Sequence, residues 1–316
     1  MHMPAPSTPP LAIAVKAPVE ALLFESATVA IGSFRCPTRH SMFRDSGPSN
    51  AYCFVFPRTA VWIRHADGAP FVAHPGLVTY YNQGQVYARR AVSPEGDHAD
   101  WFAVAPHVVE DLLAAVAPRA LGSGHALFRH PHGPSPSAAY LRQRRLVKQL
   151  EARGPVDPLE VDEAVLSLLA SLLAGCRRDR ADCRPPTRAQ RDLVEDAKAL
   201  LPRTAAGRVH LGAIAARLSC SPFHLCRSFR RIEGQTMRAY RNDVRLRMSL
   251  LSVMDGRSDL SQVALDAGFS SHSHFTAAFR AHFGVTPSAA SHSWRRDSAG
   301  SSLNTRRAGA AANSRR

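Results

Sequence analysis

A unit of about 26 residues occurs twice near the C-terminal end of this chain, and a repeat constrains a fold more than any other feature, because both copies must fold alike. The first copy is LGAIAARLSCSPFHLCRSFRRIEGQT, from Leu211 to Thr236, and the second is LSQVALDAGFSSHSHFTAAFRAHFGVT, from Leu260 to Thr286. Leu211, Ile214 and Ala215 match Leu260, Val263 and Ala264 at an offset of 49. Leu225, Phe229, Arg230, Gly234 and Thr236 match Phe275, Phe279, Arg280, Gly284 and Thr286 at an offset of 50, so one residue is gained in the turn.

Each copy reads as helix, tight turn, helix. Leu211, Ile214, Ala215 and Leu218 recur at helical spacing. Ser221 is a good N-cap, and Pro222 a good first helical residue. Leu225, Phe229 and Ile232 then fall on one stripe, and Gly234 closes the helix in the left-handed conformation that glycine adopts cheaply. In the second copy Gly268 lies in the turn, Phe275 and Phe279 form the stripe, and Gly284 closes. Two helices joined in this way form the helix-turn-helix that reads DNA. Opposite the first stripe lie Phe223, Arg227 and Arg230, flanked by His224 and Cys226. Opposite the second lie Ser273, Ala277 and Arg280, with Ser271 and His272 at the tip. One such polar face is ordinary solvated surface; two, repeated in a basic region, favour nucleic acid.

These residues carry a resemblance. Residues 188–293 resemble the DNA-binding domain of the AraC/XylS transcriptional regulators, through LSCSPFHLCRSFRRIEG, YRNDVRLRMSLL from Tyr240 to Leu251, and AGFSSHSHFTAAFRAHFGVTP from Ala267 to Pro287. The chain departs from the family after Pro287, where SAASHSW replaces a segment ending in Tyr-Arg. The resemblance implies a regulator bound to double-stranded promoter DNA, acting with RNA polymerase, built as a homodimer and located in the cytoplasm. It also implies base-reading positions at Phe223, Cys226 and Arg227 in the first unit and at His272 and Ser273 in the second. The candidate DNA contacts are therefore Phe223, His224, Cys226, Arg227, Arg230, Ser271, His272, Ser273, Thr276 and Arg280. Arg227 is expected to read a base, and Arg230 and Arg280, at equivalent places, to grip phosphate.

The charge is placed to suit this. Of the net +15, residues 187–296 supply 17 Lys/Arg against 8 Asp/Glu, whereas residues 151–186 carry 5 against 7. Such a basic region is the footprint of a phosphate-binding surface. No stretch approaches the ~20 apolar residues of a membrane span, and MHMPAPSTPPLAIAV lacks the basic start and long apolar core of a signal peptide. The cysteines at 36, 53, 176, 183, 220 and 226 form no CxxC pair, which speaks against a zinc ribbon and fits reduced thiols.

Upstream, ATVAIGSF, AYCFVF, AVWIRH, FVAH, LVTYYN and VYARRAV are strand-like runs separated by turn clusters such as RDSGPSN and ADGAP. Closely spaced strands predict an antiparallel barrel or double-sheet jelly roll with room for a small ligand. The region is similar to the cupin-like sensor domain of many AraC-type regulators. Tyr80, Tyr81, Asn82, Gln83 and Tyr87 could line an effector pocket, with Arg89 and Arg90 available to an acidic effector; packed tyrosines and solvated arginines are the plainer alternative. His65, His74 and His98 are scattered, and Cys36 with His40 is too few for a metal site, so no metal or other cofactor is expected.

Helical periodicity predicts His107–Ala117, then Tyr140–Arg153 with Ser137 as a cap, then Leu159–Arg177, whose leucines either cover the barrel or form a dimer seam. RRDRADCRPPT at 177–187 reads as a linker. A helix is predicted from about Gln190 to Leu201, and a long one from Met237 to Met254, capped by Thr236, with Met237, Tyr240, Val244, Met248 and Leu251 inward. The last is ~27 Å long at 1.5 Å per residue, a spacer able to hold two reading helices about one DNA turn apart. The expected architecture is thus α+β and multidomain: a disordered start at 1–18, a cupin-like β-barrel with flanking helices at 19–176, the linker, an all-α double helix-turn-helix at 188–296 with units at about 208–234 and 257–284, and a basic tail at 297–316. The function expected is sequence-specific, effector-responsive transcription regulation, not enzymatic catalysis. A metal-dependent cupin enzyme with an accessory DNA-binding domain, or a repair regulator whose cysteine accepts an alkyl group, are the alternatives from other classes.

Overall fold

Period-two alternation sorts the strands of the N-terminal region into two faces, and the structure, a computed structural model, uses both. It describes residues 19–43, 45–66, 68–116, 126–175, 186–201, 211–256 and 259–292. The expected unstructured ends, and the expected linker except for Pro186 and Thr187, lie outside these residues. The strands are β1 (Glu20–Glu25), β2 (Val29–Cys36), β3 (Asp45–Ser46), β4 (Tyr52–Pro57), β5 (Val61–His65), β6 (Phe71–Ala73), β7 (Leu77–Tyr81), β8 (Tyr87–Ala91), β9 (Asp97–Val104) and β10 (His132–Pro134). They form a six-stranded sheet in the order β1-β2-β9-β4-β7-β10 and a four-stranded sheet in the order β3-β8-β5-β6. The paired strands run antiparallel.

The large sheet is apolar on both sides. Tyr52, Phe54 and Phe56 of β4, Val78 and Tyr80 of β7 and Phe102 and Val104 of β9 point to one side. That side is covered by α1 (Pro106–Val116), α2 (Ser137–Glu151) and α3 (Pro158–Gly175). Cys53, Val55, Tyr81 and Trp101 point to the other, where Val61 and Ile63 of the small sheet face them. The result is the expected double-sheet β domain with flanking helices. Val161, Val165, Leu168, Leu169, Leu172 and Leu173 of α3 are all buried in the chain's own core, so this stripe covers the sheet. Beneath the helices, Arg144 of α2 donates to the Asp100 carboxylate, with Arg58 3.6 Å from the same group. Both Arg144 and Asp100 are buried, so the pair joins helix layer to sheet without access to water. The expected cap Ser137 is instead the first residue of α2, preceded by Pro136, and makes no capping bond. Its hydroxyl is turned across the domain junction to His282 Nε2, 3.0 Å away.

The C-terminal part comprises α4 (Arg188–Leu200), α5 (Leu211–Arg217), α6 (Pro222–Glu233), α7 (Met237–Asp255), α8 (Leu260–Asp266) and α9 (His272–Phe283). Thr187 and Gln190 form a reciprocal capping box at the start of α4. Ser221 Oγ accepts from His224 N at 3.1 Å, and Ser271 Oγ from His274 N at 3.2 Å, so both second helices start on serine. Both end on left-handed glycines, Gly234 (φ 75°) and Gly284 (φ 77°). The turn bonds Cys220 N to Ala215 O and Phe269 N to Ala264 O are equivalent, at an offset of 49. The gained residue is therefore Ser270, between that bond and the cap. Ser219 (φ 52°) occupies the left-handed position that Gly268 (φ 75°) holds in the second unit.

The two units have different cores. Leu225 and Phe229 join Val194, Ala197, Ile214, Ala215, Tyr240 and Val244 in a separate cluster around α4. Phe275, Phe279 and Phe283 join Leu246, Leu250, Val253 and Met254 of α7 in an apolar cluster continuous with the helix layer of the β domain. α7 thus presents its first half to unit one and its second half to unit two. Met248, expected inward, is 36% exposed, because Leu246 and Leu250 occupy the inner face there. Leu211 is also largely exposed, at the open end of α5.

The β domain grips this body at several points. Glu195 of α4 accepts from Val72 N on β6 at 2.6 Å. Arg247 of α7 donates to Pro75 O at 3.2 Å and lies over the Tyr140 ring of α2, 5.1 Å from its centroid. Lys148 of α2 bonds to Asp255 of α7. Asp243 of α7 receives Arg247 at 2.7 Å and His282 of α9 at 2.9 Å. Burial would push the Asp243 carboxyl up, but the His282 hydrogen bond and the Arg247 charge outweigh it and hold the group at about 2.

Two outcomes follow. Gly268→Ala should cost about 1 kcal/mol, the penalty of a side chain in the left-handed region, as read from denaturant midpoints. A carboxyl depressed from 3.8 to about 2 contributes stability above its unfolded value and loses it as the pH falls towards 2. The amount is roughly 2 kcal/mol. Unfolding titrations from pH 5 to 2 should therefore be shallower for Asp243→Asn than for the parent; equal slopes would contradict the clamp.

Candidate nucleic-acid interface

The stripe that buries Leu225 and Phe229 fixes what α6 shows to solvent. Phe223, His224, Cys226, Arg227 and Arg230 are all exposed, and Phe223 is 75% exposed, which no packing requirement explains. On α9, Ser271, His272, Ser273 and Arg280 are exposed and Thr276 is half-buried, its hydroxyl 3.4 Å from His272 Nε2. Eight of the ten expected contacts thus lie in or just before the N-terminal halves that reach base edges in such motifs, while Arg230 and Arg280 lie in the last turns of α6 and α9. Arg227 does not pair with Glu233, the local carboxylate that might have engaged it. Glu233 is turned inward to Lys198 Nζ at 3.1 Å. Lys198 is itself buried and also held by Glu195 at 2.6 Å. Among the described residues, Arg227, Arg230 and Arg280 take part in no ion pair.

What places the two faces is α7, 19 residues long. At 1.5 Å per residue it spans ~28 Å. Thr236 Oγ1 caps it by accepting from Ala239 N at 3.2 Å. Tyr240 packs on Phe229 of α6, ring centroids 5.4 Å apart. Near the other end Arg245 donates to Gly268 O in the second turn at 3.1 Å. One rigid element therefore touches both units.

The residues proposed for an effector separate by strand parity. Tyr81, Tyr87 and Arg89 line a cavity of about 180 Å³ between the two sheets. Tyr80 points to the opposite side of β7, against Phe128 with ring centroids 5.1 Å apart. Asn82 exchanges hydrogen bonds with the Phe128 backbone at 3.0 and 2.8 Å and closes a loop. Gln85 accepts from Asn82 N. Arg90 stacks on Trp62, 4.8 Å away, and Gln83 is exposed. A residue count along LVTYYN could not separate Tyr80 from Tyr81 without knowing which face met the helices.

A second cavity, of about 900 Å³, lies between the β domain and the helix-turn-helix body. Its walls include His65, His74 and His132 with Lys198, Glu195 and Asp243. Burial pushes His65 down to about 4 and His132 to about 3, so these rings are neutral at pH 7. This histidine grouping carries no local mark in the sequence, since the three reach it from β5, the β6–β7 turn and β10. Among the described residues no group of three or more His, Cys, Asp or Glu side chains is arranged to hold a metal ion. Cys53, pushed up to about 12 by burial, and Cys36, also raised, are the opposite of activated thiols. Cys176 and Cys183 lie outside the described residues. No helix among those described is long and apolar enough to cross a membrane.

Comparison with known proteins adds to this geometry. A family model described as a helix-turn-helix domain matches residues 214–293. The probable transcription factor PqrA of Proteus vulgaris is 33% identical over 79 residues, which are 25% of this chain. The match covers 65% of that protein's length, just short of two thirds. Among solved structures, an AraC-type regulator from Chromobacterium violaceum is 24% identical, over 34% of this chain and 95% of that one, with a TM-score of 0.31. ToxT from Vibrio cholerae O395 is 13% identical over 84% of this chain and 97% of its own, with a TM-score of 0.35. On the residues matched and the two-unit geometry they adopt, residues 214–293 of this chain form a helix-turn-helix domain.

Proposed function

We propose that this protein is a sequence-specific transcription regulator. It binds double-stranded promoter DNA through α6 and α9, and the occupancy of its β domain by a small effector sets how those helices are presented. The observation that carries the reading is the pair of solvent-facing, equivalent helix faces held by one spacer helix, in a region with nine more cations than carboxylates. The mechanism involves no chemical step: effector binding shifts the population between arrangements of the sensor domain against the DNA-binding body. RNA polymerase and a second copy of the chain are the proposed macromolecular partners, and the cytoplasm, where promoter DNA lies, is the proposed location. The α3 stripe from Val161 to Leu173 is used internally, so a dimer seam has to come from residues outside it, such as the exposed Leu159 at the start of the same helix.

Within the interface Arg227 reads a base while Arg230 and Arg280 hold phosphates. Arginine donates in a fork that matches guanine O6 and N7 and is worth about 1–3 kcal/mol of discrimination. Arg230 and Arg280 sit one turn further along at equivalent places, which suits a contact that recurs regardless of sequence. Selections on randomised duplexes should give the full-length Arg227→Ala variant a motif relaxed at one position; an unchanged motif would show that α6 reads through another face. Arg230→Ala and Arg280→Ala should weaken all duplexes alike and lower the salt slope by about one each. Neutralising 6–10 phosphates makes affinity fall ~10³–10⁵-fold between 50 and 200 mM salt. A flat salt response in titrations of the full chain would contradict DNA binding of this kind.

A further inference from the structure

The cavity between the sheets holds donors that the chain leaves without acceptors. Among the described residues no acceptor pairs with Arg89 Nε or Trp101 Nε1, although both side chains are buried. The rest of the guanidinium is fixed. Its Nη2 donates to the Tyr87 hydroxyl at 3.0 Å, and its Nη1 faces Asp97 at 3.2 Å. Phe34 lies 4.3 Å beneath it. Trp101 is fixed too: a Cβ at Gly32 would overlap the indole, so glycine there admits it. A buried donor without an acceptor costs about 1–3 kcal/mol, and each such group in a native protein calls for an explanation. Two in one cavity point to an acceptor brought by a ligand.

Size and charge narrow the ligand. An apolar cavity of about 150 Å³ accommodates benzene, so this one, at about 180 Å³, suits a single ring with a short polar substituent. Val55, Val61 and Ile63 supply the apolar wall. The charged groups lining it are Arg89, Asp97 and Glu20, one cation against two carboxylates. An anion would enter a site whose only cation is already paired. The Glu20 carboxyl favours a hydrogen-bond donor on the ligand.

We propose that the cavity binds a neutral single-ring compound bearing a carbonyl beside an N–H or O–H, the carbonyl accepting from Arg89 and Trp101 and the donor facing Glu20. This rests on the reading of the β domain as the effector domain and names the effector's chemical class.

Benzamide, benzoate and benzylamine have nearly the same shape and differ in charge, so ligand-observed NMR on the full-length protein tests the class. Benzamide should bind at least tenfold more tightly than the other two. Trp101→Phe, which keeps a ring but removes the donor, should weaken benzamide about tenfold, the effect of one buried hydrogen bond. Arg89→Lys, which keeps the charge facing Asp97 and removes Nε–H, should do the same if the first variant folds poorly. If benzoate or benzylamine binds as well as benzamide and loses affinity in both variants, the neutral class is wrong while the cavity remains the effector site. Benzamide binding that both folded variants leave unchanged places the ligand elsewhere and overturns the proposal. Binding of none of the three overturns the proposal and the effector role of this cavity together.

Discussion

The Asp243 carboxylate is the point at which the β domain, the spacer helix and the second helix-turn-helix unit meet. It accepts from Arg247 on its own helix and from His282 on α9. The Arg247 guanidinium reaches on to Pro75 O, and His282 to the Ser137 hydroxyl. Space for this is made by Gly76, where a Cβ would stand 3.0 Å from Asp243 Oδ2. Buried charges of this kind are tolerated only where each is paired and hydrogen-bonded. Removing one partner therefore loosens more than a single contact.

That arrangement makes the two reading units unequal. Unit one has its own core and meets the β domain chiefly through α4, where Glu195 accepts from Val72 N on the small sheet. Unit two shares its core with the helix layer that covers the large sheet. α2, tied to the sheet through Arg144 and Asp100, packs against α9, while unit one meets the small sheet through α4 instead.

Much of this was legible in the residues. The repeat, the serine caps, the glycine stops and the two outward faces follow from spacing alone, because a helix-turn-helix is built from local contacts. Six of the strands followed from β-branched and aromatic runs. β1 was not among them because EALLFE is as good a helical segment as a strand, and β9 because DHADWFAV starts polar. Ser137 was read as a cap because serine before a helical run usually is one; its bond to a residue 145 positions away carries no local mark. Tyr80 and Tyr81 differ only in which sheet face each occupies, and Met248 only in which neighbour reaches the inner face of α7 first. In each case a tertiary contact decided between local options of similar energy.

The central claim is that one spacer helix fixes α6 and α9 so that both read the same face of a duplex. Hydroxyl-radical footprinting of the full-length protein on a selected high-affinity duplex tests it most directly. The account predicts two protected patches on each strand, centred about one helical turn, ~10 bp, apart. A single patch, or two patches half a turn out of phase, would contradict it.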